Sequence, residues 1–184
     1  MVCLQKKGFE STPVFGRFCG VLVLALLVAC ALVWVDAWMG QAKAEPMVPG
    51  PQIGQVFPEL EVQDQFQQPW SVPAQTRRVY FASNRQAGDW MTTLLSEQPE
   101  NYLASRQSVY LADLSGMPGF VSTMFALPAL REQPYRVGVV LDEGKLEGWP
   151  ENDEAMIVFV LEDGRVTSIE RLKTLQKLKT SLGL

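Results

Sequence analysis

From residue 60 onward, short apolar runs alternate with longer stretches whose apolar positions recur every three or four residues. Leu60–Gln63 and Trp70–Val72 alternate apolar with polar positions around the turn-like Asp64–Pro69, which predicts an edge β-hairpin. Val79–Ala82 is short, continuous and apolar, as expected of a strand buried on both faces. Beyond it Ser83 or Asn84 can cap a helix with Trp90, Met91, Leu94 and Leu95 on one face. Val109–Ala112 reads as the next strand, with Asp113–Gly119 as its loop. Phe120, Val121, Met124, Phe125 and Leu127 then predict a second amphipathic helix that Pro128 should end or kink. Val137–Leu141 predicts another buried strand, and Lys145–Glu154, holding Gly148, Trp149 and Pro150, a surface loop. Met156–Leu161, the turn Glu162–Arg165 and Val166–Ile169 form the clearest hairpin. Leu172, Leu175, Leu178 and Leu182 close the chain on a helix with Lys173, Lys177 and Lys179 opposite them. This order predicts an α/β domain with strands of mixed direction.

The N-terminus follows a different pattern. Lys6, Lys7 and Arg17 precede an uncharged apolar run from Phe18 to Val35, which Asp36 ends, and Ala42-Lys43-Ala44 follows. A basic region, an apolar region and a small-x-small tripeptide are the parts of a secretory signal, with cleavage expected between Ala44 and Glu45. The same run is long enough for an uncleaved membrane anchor, and Leu27-Val28-Ala29-Cys30 resembles a bacterial lipoprotein box with Cys30 as the lipidated residue. Either a signal or an anchor places the remaining domain on the extracytoplasmic side, periplasmic in a bacterial cell, if the basic residues stay inside. Glu45–Gln55, rich in proline and glycine, reads as an extended linker, and residues 56–184 as one domain.

Composition then removes chemistry. All three cysteines, Cys3, Cys19 and Cys30, belong to residues 1–44, and the chain has no histidine. The domain beyond residue 44 therefore has no thiolate, no Ser-His-Asp arrangement and no His/Cys metal site. Four of the 16 basic and two of the 20 acidic residues lie in residues 1–44. Residues 45–184 thus carry 12 against 18, a net charge of −6 that argues against general nucleic-acid binding.

Gly54-Gln55-Val56-Phe57-Pro58, the strand Val79–Ser83 and the hairpin Ile157–Val166 are similar to three stretches of the peroxiredoxin-like and TlpA-like parts of the thioredoxin superfamily, and the order also resembles a small YtfJ-like exported branch. The resemblance covers most of Gly54–Leu182. It implies a thioredoxin-like three-layer fold, a central mixed sheet flanked by helices, with an N-terminal hydrophobic helix added. Where such proteins have Cys-x-x-Cys at the helix start, this chain has Asn84–Asp89; where they have a cis-proline, it has Asp153-Glu154-Ala155-Met156. The expectation is an exported or membrane-tethered domain without thiol-disulfide or peroxidase activity and without a cofactor. It would act as a binding module for an envelope protein or small ligand. A cofactor-using oxidoreductase with non-thiol chemistry and a structural envelope protein are the alternatives.

Asn84, Arg85 and Gln86 stand at a helix N-terminus, where free N–H groups and the helix dipole favour an anion such as a carboxylate or phosphate. A capped helix bearing a solvated arginine is the simpler account of them. Trp149, with Pro150, Trp90 and Gly116–Gly119, could form an apolar rim for a partner, although core packing also explains it. Asp113, Asp142, Glu143, Asp153 and Glu154 are loop carboxylates of the type that bind Ca²⁺, yet they lack EF-hand spacing, so no metal site is assigned.

Overall fold

The computed structural model describes residues 50–150 and 154–184, all within one compact unit. The expected signal or anchor, its Ala44–Glu45 cleavage point and Cys30 lie outside the described residues, as does Asp153. Among the described residues no helix is long and apolar enough to cross a membrane.

Seven strands form one mixed sheet: β1 (Val62–Asp64), β2 (Pro69–Trp70), β3 (Arg78–Ala82), β4 (Ser108–Asp113), β5 (Gly138–Val140), β6 (Met156–Glu162) and β7 (Arg165–Leu172). The spatial order is β2-β1-β5-β4-β3-β6-β7. Strands β3, β4 and β5 run parallel, whereas β6, β7 and the β1–β2 hairpin add antiparallel edges. The expected mixed α/β sheet is therefore present. Asp163 and Gly164 join β6 to β7 with φ of 49° and 75°, a two-residue turn whose double positive φ suits an Asp-Gly pair.

The helices are α1 (Arg85–Leu95), the single turn α2 (Tyr102–Ser105), a composite segment α3 spanning 119–131, and α4 (Leu175–Leu182). Both parallel crossovers, β3 to β4 through α1 and β4 to β5 through α3, step the same way across the sheet. Right-handed connections then put both helices on the same face. That face holds Tyr80, Ala82, Tyr110 and Ala112 from the strands, packed on Ala87, Met91 and Leu95 of α1, Leu127 of α3, and Leu178 and Leu182 of α4. The opposite face carries Val79, Phe81, Leu111, Ile157 and Phe159, and it is covered by irregular chain through Phe57, Leu60 and Trp149. Among the described residues, Leu146, in a 3₁₀ turn at Glu143–Leu146, is the one helical residue that packs there.

Residues 50–55 belong to this fold and do not lead away from it as a linker. Gly50 is buried with its backbone against that of Gly148, leaving no room for a Cβ. Gly54 N–H donates to Val166 O (2.7 Å), Val166 N–H to Gln55 O (2.9 Å) and Phe57 N–H to Gly164 O (2.8 Å), so the incoming chain runs along the start of β7.

Segment α3 overturns the amphipathic helix expected at 120–127. Ser122–Ala126 is a π turn between Gly119–Val121 and Leu127–Arg131, with Leu127 N–H donating to Ser122 O, five residues back. Pro128 has no N–H to bond back along the helix, which favours a distorted turn ahead of it without ending the segment. The extra residue in that turn rotates everything after it by about 100°. Ser122 and Leu127 thereby face the core, while Phe120, Met124 and Phe125 are 67%, 66% and 65% exposed.

The β1–β2 hairpin is tied down by a polar network with no local sequence signal. Asp64, buried, accepts from Phe66 N–H (2.9 Å) and Gln68 N–H (2.8 Å) through Oδ1, and from Arg136 Nε (2.8 Å) through Oδ2. Gln65 continues the β1–β5 ladder with its side chain: Nε2 donates to Tyr135 O (2.8 Å), and Oε1 accepts from Val137 N–H (3.0 Å). Gly138 in β5 lies under the Trp70 ring, which a Cβ would strike.

Candidate functional site

The parallel strands β3, β4 and β5 end at one edge of the sheet, the edge where open α/β sheets place their sites. The corner from β3 into α1 lies there. Ala82 is the last residue of β3, and Asn84 in extended backbone (φ −148°, ψ 160°) turns the chain into the helix. Its Oδ1 accepts from Ala87 N–H at 2.8 Å, the N-cap bond that the sequence predicts. Its Nδ2 donates to Ala155 O at 3.2 Å, one residue before β6. Both ends of the amide are therefore engaged, and they fasten the corner to the segment that leads into β6.

Arg85 and Gln86 follow in the first turn of α1, and both are exposed. Arg85 Nε lies 3.7 Å from Asp89 Oδ2 one turn later, with both side chains largely in water. A pair of this kind is worth little and leaves the guanidinium facing solvent. Arg78 begins β3 and so lies at the opposite end of that strand from Asn84. Ser83 Oγ is shielded and has no hydrogen-bond partner among the described residues. Of the four predicted site residues, the structure gathers Asn84, Arg85 and Gln86 at one helix start, with the first serving as a cap.

Trp149 is not with them. It is 6% exposed on the opposite face of the sheet from α1. Its ring packs against Phe81 (centroids 5.0 Å), Phe159 (5.6 Å) and Phe57 (5.8 Å), the last two near perpendicular. The expected apolar rim at Trp149 is thus a core anchor, and the expected surface loop is the covering of that core. The indole N–H has no acceptor among the described residues. Exposed large apolar side chains occur elsewhere, at Phe120, Met124 and Phe125 of α3 and also at Ile53, Val56 and Phe66. Pro128, a proline inside a helical pattern, was the one signal in the sequence that could have marked the first three.

Two of the carboxylates considered for a cation, Asp113 and Asp142, have turn-forming roles. Asp113 Oδ1 accepts from Ser115 N–H (2.9 Å) and Ser115 Oγ (2.6 Å), and Asp142 Oδ1 accepts from Gly144 N–H (3.0 Å). Among the described residues no three His, Cys, Asp or Glu side chains come together in a way that could hold a metal ion. The groups with displaced titration are tyrosines of the helix-covered face. Burial raises Tyr80, against a smaller opposing effect of its bond to Ser181; burial likewise raises Tyr135, and it raises Tyr110 far above the usual phenol range. A neutral phenol locked in a core does not serve as an acid or base near neutral pH.

No family model matches the chain, and no curated protein matches it. Among solved structures it is similar to a peroxiredoxin-like protein from Aquifex aeolicus, at 14% identity and TM-score 0.48, over 74% of this chain and 89% of that one. It is similar to a peroxidoxin from Mycobacterium tuberculosis, at 12% identity and TM-score 0.46, over 74% and 95%. A thio-disulfide isomerase from Thermus thermophilus is similar at 13% identity and TM-score 0.42, over 73% and 96%. Likeness of this degree assigns no activity.

Proposed function

We propose that residues 45–184 are an exported or membrane-tethered binding module of thioredoxin-like shape, without thiol redox activity, and that residues 1–44 deliver it as a signal peptide or an anchor. The observation that carries this reading is the occupation of the β3–α1 corner. Asn84, where the resemblance expects Cys-x-x-Cys to begin, is held by hydrogen bonds at both ends of its side chain. Thiol exchange and peroxide reduction in such folds need a thiolate, and the whole chain is not free of cysteine, but its three thiols all precede residue 45. With no thiol and no imidazole at the corner, the domain acts through its surface, on an envelope protein or a small ligand.

Two measurements test this. The purified chain with Cys3, Cys19 and Cys30 changed to serine is expected to show no disulfide reductase and no peroxidase turnover; turnover in either assay sinks the reading. Mass spectrometry of the native N-terminus sorts the delivery: Glu45 first means release, Met1 an anchor, and a lipid on Cys30 a lipoprotein.

A further inference from the structure

We propose that Met124, on the outward side of α3, is a reversible oxidation site: a hydroperoxide converts its thioether into the sulfoxide, and a methionine sulfoxide reductase returns it at the expense of a dithiol. The inference goes beyond the binding-module reading, because it concerns a stoichiometric change to one side chain and not turnover.

Four methionines lie among the described residues, and the fold shelters them unequally. Met91, on the core side of α1, and Met156, the first residue of β6, are both 0% exposed. Met117 follows β4 and is partly buried against the helix-covered core. Of the four, Met124 alone stands in water, at 66% exposure. The backbone is the reason. In an unbroken α-helix Met124 would lie one turn from both Phe120 and Leu127, on the side that the apolar pattern assigns to the core. The π turn at Ser122–Ala126 gives the core Ser122 and Leu127 instead and leaves Met124 outside. Phe120 and Phe125 are as exposed as Met124 and do not bury it.

A thioether has no proton to lose, so access and not a displaced pKa decides which methionine reacts. A lone pair of the Met124 sulfur attacks the terminal oxygen of the hydroperoxide and the O–O bond breaks. The proton of the transferred oxygen passes to the departing one, which leaves as water or an alcohol. Sulfur loses two electrons and the peroxide gains them. In the return step a dithiol becomes a disulfide, and the oxygen leaves as water. No cysteine follows residue 44 to compete for the oxidant. A sulfoxide at Met124 is solvated at once, whereas one at Met91 or Met156 would put an unpaired polar group into a close-packed core. The outward position therefore lets the domain be oxidised and repaired without unfolding.

The test treats the purified full chain with hydrogen peroxide and follows each methionine by peptide mass spectrometry. Met124 is expected to gain oxygen faster than Met117, and about ten-fold or more faster than Met91 and Met156, which meet solvent only when the fold opens. In urea the four rates should converge; a gap that persists there belongs to the local sequence and overturns the inference. Met124→Leu, which keeps an apolar side chain of similar size, should remove the early oxygen and leave the other three rates unchanged. Oxidation at Met124 should not move the thermal midpoint, and methionine sulfoxide reductases of both epimer specificities with dithiothreitol should restore the thioether in the folded chain. Equal or faster oxidation of Met91, Met117 or Met156, a midpoint that falls as the Met124 sulfoxide accumulates, or a sulfoxide that resists both reductases overturns the proposal. The cysteine-to-serine chain should stop consuming peroxide once its accessible methionines are spent. Consumption that continues is turnover, which sinks the redox-inert reading and leaves the oxidation site standing.

Discussion

The two faces of the sheet are held in different ways. On one, α1, α3 and α4 cover the strands, and tyrosines pass through the core to end on polar atoms: Tyr80 OH donates to Ser181 O (3.0 Å) and Tyr102 OH to Leu182 O (3.0 Å), meeting carbonyls at the end of α4 that the helix itself leaves unpaired. On the other, Phe57, Phe81, Trp149 and Phe159 interlock with no hydroxyl among them, and among the described residues the cover is chain without a regular helix. The first face is fixed by packing together with directed bonds. The second depends on the fit of four rings, so one truncation should release the 141–150 cover while α1 and α4 stay in place.

The largest effect that would expose this difference is Trp149→Ala, expected to cost about 3–5 kcal/mol by chemical denaturation, as large buried rings do. Hydrogen exchange should rise first in residues 141–150; a rise spread evenly over α1 and α4 would abolish the distinction. Trp149→Phe should cost far less, because the lost ring area is offset by removal of an indole N–H without an acceptor. On the helical face Leu178→Ala should cost about 2–4 kcal/mol and loosen α4 first, leaving 141–150 protected.

Alkaline titration should strike the helical face alone. The folded state raises the phenols of Tyr80, Tyr110 and Tyr135 above the ordinary value, so the unfolded chain loses these protons first. The contribution of these phenols to stability is then constant below about pH 10 and falls as pH rises beyond it, and Tyr110→Phe should remove up to about 1.4 kcal/mol per pH unit from that slope. An unchanged slope would mean that Tyr110 does not titrate in this range in the unfolded chain. The smallest effect belongs to Arg85→Ala at the corner, expected within about 0.5 kcal/mol because its ion pair is solvated. A larger loss would give that guanidinium a structural role that it lacks here.

Most strands were legible because their signals are local. Val79–Ala82 is apolar at every position and is buried at every position, and Asp163-Gly164 names its own turn. Asn84 was readable as a cap for the same reason. What the sequence hid depends on distance or on a change of period. Trp149 lies among glycine, proline and acidic residues and looks exposed, yet its partners Phe57, Phe81 and Phe159 come from other parts of the chain. Asp64 and Gln65 sit in a stretch that reads as a turn, and their partners are about 70 residues away at Tyr135–Val137. The Phe120–Leu127 pattern fits a regular helix so well that only the missing N–H of Pro128 tells against one. At the candidate site, residue identity showed which chemistry was absent, whereas the bond from Asn84 to Ala155 joins segments that only the folded sheet brings together.

The short pairing of Gly54, Gln55 and Phe57 with the beginning of β7 also occupies part of an edge to which a foreign strand could add. At the far margin of the sheet, β2 is only two residues long and contains a proline, a poor template for a foreign strand. The β7 margin is eight residues long and would be a good one if its first rung stood open. A shortened version beginning at Pro58 would uncover that rung, so any boundary chosen for producing the domain should fall before Gly50.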